Sequence, residues 1–133
     1  MGAGGTGVAV TRPKISFLAS FRFASQGLRY LFLTQRNARV QAGAGAVALL
    51  LAAVLRCSRD EWAILALTIG AVLALEGVNS AVEAVVDLVT EEYHPLAKVA
   101  KDVAAGAVWL MALTAVVVGA ILFLPRLAGL VGR

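Results

Sequence analysis

Three long apolar stretches alternate with short polar ones along the chain, at residues 40–55, 62–75 and 103–125. A helix needs about 20 residues to cross a bilayer, and only the third stretch meets that length unaided. Arg39 and Arg56 can snorkel from the ends of the first, and the second continues helically through Glu76, Glu83 and Asp87 to Thr90. The pattern predicts three transmembrane helices, over about residues 38–56, 61–90 and 97–124. Before them, Phe17, Leu18, Phe21, Leu28, Leu31 and Phe32 recur at helical spacing while Arg22 and Arg29 sit seven apart. That is an amphipathic helix lying on the membrane surface, over about residues 16–35. A fourth span is disfavoured there, because each internal arginine would cost about 2.5–3.5 kcal/mol at the bilayer centre. Residues 1–15 and 125–133 read as tails around a single membrane domain at residues 16–124.

Composition supports lipid as the solvent. Of 133 residues, 60% are hydrophobic and 15% charged, with a mean hydropathy of +0.85, whereas a soluble domain is about a quarter charged. So small a bundle could not hide that much apolar surface in its own core. The fold class is therefore an all-α membrane protein. Charge position adds orientation: six basic residues and no acid precede residue 40, and Lys98 and Lys101 lie on the same side under three spans. The positive-inside rule puts the N-terminus and the second polar loop in the cytoplasm. The net charge of +4 is modest and its distribution matters more than its size; no nucleic-acid partner is expected. No apolar stretch early in the chain reads as a removable signal peptide, and the lone Cys57 offers neither a disulfide nor a metal cluster.

Two motif matches carry little. Gly2, Gly4 and Gly7 fit GxGxxG, but neither a strand nor a βαβ unit surrounds them. The same residues fit the unspecific myristoylation pattern MGxxxT. No GxxxxGKS/T occurs, so any phosphate chemistry here avoids a P-loop.

The acids are more informative. Glu76, Asn79, Glu83 and Asp87 are spaced by three, four and four residues, which at about 100° per residue places them within roughly 80° on one helical face. Glu76 lies about 21 Å along the helix from Trp62, in the inner half of the bilayer. An intramembrane glutamate needs a partner. Three are open: Lys98 and Lys101 folding back on Asp87 and Glu83, a divalent cation, or a proton. The loop EEYHPLAKVAKDVAAGAV brings Lys98, Lys101 and Asp102 to the membrane edge, with Pro95 suited to a first helical turn. A lysine that holds polyphosphate, acids that hold Mg²⁺ and a carboxylate that takes a hydroxyl proton are what phosphoryl transfer needs. At a membrane surface, that hydroxyl belongs to a lipid. His94 is a solvated loop residue without a chemical role. A proton-coupled transporter using Glu76 is the alternative from another class, but it leaves Asn79, Lys101 and Asp102 unexplained. A purely structural subunit, packed through the small residues of AGAGA and AAGA, is a third.

The segments EGVNSAVEAVVD and EEYHPLAKVAKDVAAGAV resemble the prokaryotic diacylglycerol kinase and undecaprenol kinase family, with its pattern E-x-x-N-S/T-A-x-E-x-x-x-D followed by A-K-D. The likeness extends back through SFRFASQGLRYLFLTQRNARV and covers roughly residues 16–124. It implies a homotrimeric bundle of three-span protomers in a bacterial-type inner membrane, with active sites shared between neighbours. It also implies an ATP- and Mg²⁺-dependent lipid kinase acting by direct in-line transfer. Glu76 then matches the general base and a possible metal ligand, Glu83 a ligand of Mg²⁺ with ATP, and Asn79, Asp87, Lys101 and Asp102 the nucleotide-binding positions. The R-N-x-R and H-P-L-A-K-x-A-K-D segments resemble the undecaprenol branch more than the diacylglycerol branch.

One position departs from the family pattern: Gln35 stands where a metal-coordinating glutamate is usual, and no acid precedes Asp60. Restoring an anionic ligand to a hard cation should tighten its binding. Gln35→Glu is therefore expected to lower the Mg²⁺ concentration for half-maximal rate, and an unchanged Mg²⁺ dependence would place residue 35 outside the metal shell.

Overall fold

At Gln35 the backbone turns extended (φ −92°, ψ 113°), which ends α1 (Phe17–Thr34) and starts α2 (Arg36–Val54). The computed structural model describes residues 16–131 and continues with α3 (Arg59–Val89) and α4 (Pro95–Val131). The N-terminal tail expected at residues 1–15 lies outside the described residues.

Each helix end has a local cause. Ser16 caps α1, its hydroxyl accepting from the Ala19 N–H at 3.3 Å. At the other end of α1, one guanidinium nitrogen of Arg39 donates to the carbonyls of Phe32 and Leu33, both at 3.1 Å. A cation thus satisfies carbonyls that the helix itself cannot. α2 stops in a Schellman turn, with the Cys57 N–H on the Ala52 carbonyl at 2.9 Å and the Arg56 N–H on Ala53 at 3.2 Å. Arg56 supplies the left-handed residue of that turn (φ 52°). α3 opens on a capping box between Ser58 and Glu61.

Among the described residues three helices, α2, α3 and α4, are long and apolar enough to cross a membrane, which makes this an all-α membrane protein. They begin and end within a few residues of the expected spans, except that α4 runs on through Pro125, where a tail was expected, to Val131. Pro125 cannot donate to the carbonyl one turn back. Arg126 holds the helix past that point, donating to the Leu122 carbonyl and to Glu61 on α3, both at 2.8 Å. Around this clamp Ala52, Leu65, Leu122 and Phe123 form a buried apolar cluster.

The inward face of α3 is a single stripe of buried residues, Leu65, Thr68, Val72, Glu76 and Asn79, at spacings of three and four. It runs from apolar to polar. Thr68 and Ser80, also buried, return their hydroxyls to the carbonyls of Ile64 and Glu76 at 2.7 and 2.9 Å, so neither faces the apolar interior unpaired. Outward faces stay bare: Leu67, Leu110, Leu113 and Ile121 are all exposed. α1 buries only Leu31, which lies over Gly77 of α3.

Close approach of α2 to α3 depends on Gly45, where an added Cβ would meet Ile69 Cγ2 at 3.0 Å, whereas Gly43 faces open space. Gly45→Leu should therefore destabilise the protein by about 1–3 kcal/mol through overpacking. Gly43→Ala should change it little. Thermal unfolding in detergent micelles checks both.

Candidate active site

Helix geometry sorts the acids of α3 into two adjoining places. Glu76, Asn79 and Glu83 line a cleft of about 350 Å³ between α2, α3 and α4, with Asn37 and Gln41 on the α2 side and Val108 and Trp109 on the α4 side. Asp87, Lys98, Lys101 and Asp102 line a second hollow of about 530 Å³ at the α3–α4 turn, together with Glu91, Glu92 and His94. One helical turn, about 6 Å of rise, separates Glu83 from Asp87. The two places therefore follow one another along a single helix face, the first within the bundle and the second at its polar end.

Glu76 is 2% exposed. A carboxylate so far from water needs hydrogen bonds, and Gln41 supplies one, its Nε2 donating to Oε2 of Glu76 at 3.3 Å. The other oxygen of Glu76 has no hydrogen-bond partner among the described residues. Glu83, half-buried, accepts from Nδ2 of Asn79 at 3.0 Å. Each carboxylate of the cleft is thus paired with an amide. In both amides the carbonyl oxygen, Oε1 of Gln41 and Oδ1 of Asn79, is buried without a partner. Acceptor oxygens of this kind suit a donor or a hard cation. Among the described residues no three His, Cys, Asp or Glu side chains converge, so a cation here would rest on few protein donors and on whatever ligand it brings.

At the polar end Lys101 pairs with Asp87, tying α4 to α3, and Lys98 pairs with Asp102 one turn along α4. Of the lysine contacts that are one of the three possible partnerships for these acids, the one to Asp87 forms and the one to Glu83 does not; Glu83 accepts from Asn79 instead. Gln35 is half-buried at the α1–α2 junction and does not line the cleft. The α2 side chain that meets Glu76 is Gln41, which the sequence reading passed over. Its signal was available, since Gln41 is the one polar residue in the apolar stretch at residues 40–55.

The chain matches the model of a family described as prokaryotic diacylglycerol kinase over residues 22–123. It is 48% identical over 116 residues to a diacylglycerol kinase of Synechocystis, covering 86% of this chain but 66% of that protein, just under two thirds of its length. It is 41% identical over 111 residues to an undecaprenol kinase of Bacillus subtilis, covering 84% of this chain and 90% of that protein. A diacylglycerol kinase of Escherichia coli is 36% identical over 104 residues, covering 75% and 82%.

The Lys101–Asp87 pair has side chains 39% and 65% exposed, and exposed pairs contribute about 0–1 kcal/mol. Asp87→Asn and Lys101→Met should each shift unfolding by no more than about 1 kcal/mol. A larger loss in a denaturant or thermal melt would make the pair a structural tie rather than a binding element.

Proposed function

Because the chain belongs to the prokaryotic diacylglycerol kinase family, we propose that it transfers the γ-phosphoryl group of ATP directly onto the hydroxyl of a lipid alcohol held in the bilayer. The observation that carries this reading is Glu76, a buried carboxylate with one oxygen held by Gln41 and the other without a partner, beside a cleft inside the membrane domain. A free carboxylate oxygen in that position is a general base for a hydroxyl arriving from the hydrocarbon side.

The reaction then runs as one displacement. The acceptor hydroxyl gives its proton to Glu76 as its oxygen attacks the γ-phosphorus, the bond from phosphorus to the bridging oxygen breaks, and ADP leaves with that electron pair. Lys101 and Lys98, in the hollow one turn from Glu83, supply positive charge for the polyphosphate. Asp87 and Asp102 hold those lysines in place until nucleotide arrives. When bound, Mg²⁺ supplies charge neutralisation for the phosphates. The oxygen donors of Glu83 and Asn79 would hold such a cation, leaving the free oxygen of Glu76 for the hydroxyl proton. Gln35 does not line this cleft within one protomer; a homotrimer with shared sites would bring further residues to it from a neighbouring subunit. The bare outward faces of α3 and α4 support association with lipid and with further copies.

Undecaprenol is the first acceptor and diacylglycerol the second, on the likeness of R-N-x-R and H-P-L-A-K-x-A-K-D to the undecaprenol branch. The N-terminus and the α3–α4 turn face the cytoplasm, as the basic residues around them favour, so that cytosolic ATP meets the polar hollow. A proton-coupled transporter would also use Glu76, but it assigns nothing to the paired lysines and aspartates.

The test uses purified protein in mixed micelles, γ-radiolabelled ATP, and undecaprenol and diacylglycerol offered separately. Mg²⁺-dependent labelling of undecaprenol is expected, and Glu76→Ala should lower the rate by about 100-fold or more. Labelling of neither alcohol, or an unchanged rate in Glu76→Ala, would overturn the reading.

A further inference from the structure

We propose that Gln41 is a positioning residue for phosphoryl transfer, setting the orientation of the Glu76 carboxylate so that its free oxygen faces the acceptor hydroxyl. The proposal rests on the kinase reading and on an observation separate from it. Gln41 stands alone as a polar residue in the membrane stretch of α2, and it is the one side chain that hydrogen-bonds the Glu76 carboxylate among the described residues. A lone amide in an apolar helix is expensive unless satisfied, yet here only half of it is: Nε2 donates to Glu76 and Oε1 is buried without a partner. Turning the amide over would set Oε1 against a carboxylate oxygen, acceptor against acceptor. Glu76 therefore dictates which way the amide points, and the amide dictates which carboxylate oxygen stays free.

A glutamate side chain has three rotatable bonds, and around Glu76 the buried residues nearest along the stripe are Val72 and Asn79. Asn79 is already engaged with Glu83. With Gln41 gone, no hydrogen bond to the protein would hold the Glu76 carboxylate. Misplacing a reacting group by about 1 Å costs on the order of 100-fold in rate. The effect belongs to the chemical step, because Gln41 lies away from the lysine hollow that meets the nucleotide.

The experiment compares wild type, Gln41→Leu, Glu76→Ala and the double variant in the radiolabel assay, with thermal melts of the same four proteins in the absence of substrate. Gln41→Leu is expected to lower kcat about 10- to 100-fold while KM for ATP and for the lipid changes less than about threefold. In the Glu76→Ala background, Gln41→Leu should cost less than about twofold more, because residues acting as one unit are not additive. Gln41→Glu, isosteric but an acceptor facing Glu76, should not rescue kcat. Independent losses in the two backgrounds, a change confined to KM, or full rescue by Gln41→Glu would overturn the positioning role. The melts separate this from the kinase reading. An inactive wild type whose melts still couple residues 41 and 76 would sink the kinase reading and the role with it. An active wild type with additive rate losses would sink the role alone.

Discussion

A carboxylate buried among apolar helices is tolerable only if its hydrogen-bonding capacity is met or put to use. Glu76, at 2% exposure on the inward stripe of α3, sets that constraint for this protein. Gln41 reaches it from α2, and α4 closes the cleft with Val108 and Trp109. The same pairing of acid with amide repeats one turn on, at Glu83 and Asn79. These two carboxylates and two amides line one cleft, a set of oxygens that suits a hydroxyl donor or a hard cation.

The rest of the molecule holds that cleft at a defined depth. Toward one end, α3 and α4 are clamped by Glu61 and Arg126 over an apolar cluster. Toward the other, the pairs Lys101–Asp87 and Lys98–Asp102 gather charge at the polar turn. Between them the α3 stripe grades from Leu65 through Thr68 and Val72 to Glu76 and Asn79. Apolar and charged surroundings thus follow one another along one helix. The bend at Gln35 turns α1 away from α2, and Arg39 seals it by capping the carbonyls that the bend exposes.

Much of this was legible in the residues themselves. Helical spacing placed Glu76, Asn79, Glu83 and Asp87 on one face, and the lengths of the apolar stretches marked three spans, because both follow from local periodicity. Partner choice was legible only in part: Lys101 does fold back on Asp87, whereas Glu83 takes Asn79 and Lys98 takes Asp102, each one turn away on the same helix. Gln41 was hidden because a single amide in an apolar run changes neither its period nor its length; its importance comes from where α2 lies against α3. The continuation of α4 beyond Pro125 was hidden for a similar reason, since the arginine that sustains it draws on an acid 65 positions earlier.

The central claim is that Glu76 takes the proton of a lipid hydroxyl while that oxygen attacks the γ-phosphorus directly, with no phosphorylated protein between donor and acceptor. The stereochemistry at phosphorus tests this most directly. Transfer from ATP made chiral at its γ-phosphorus with oxygen isotopes and sulfur should give a lipid product of inverted configuration. A product of retained configuration would require two successive displacements and a covalent phosphoprotein, and it would contradict the account.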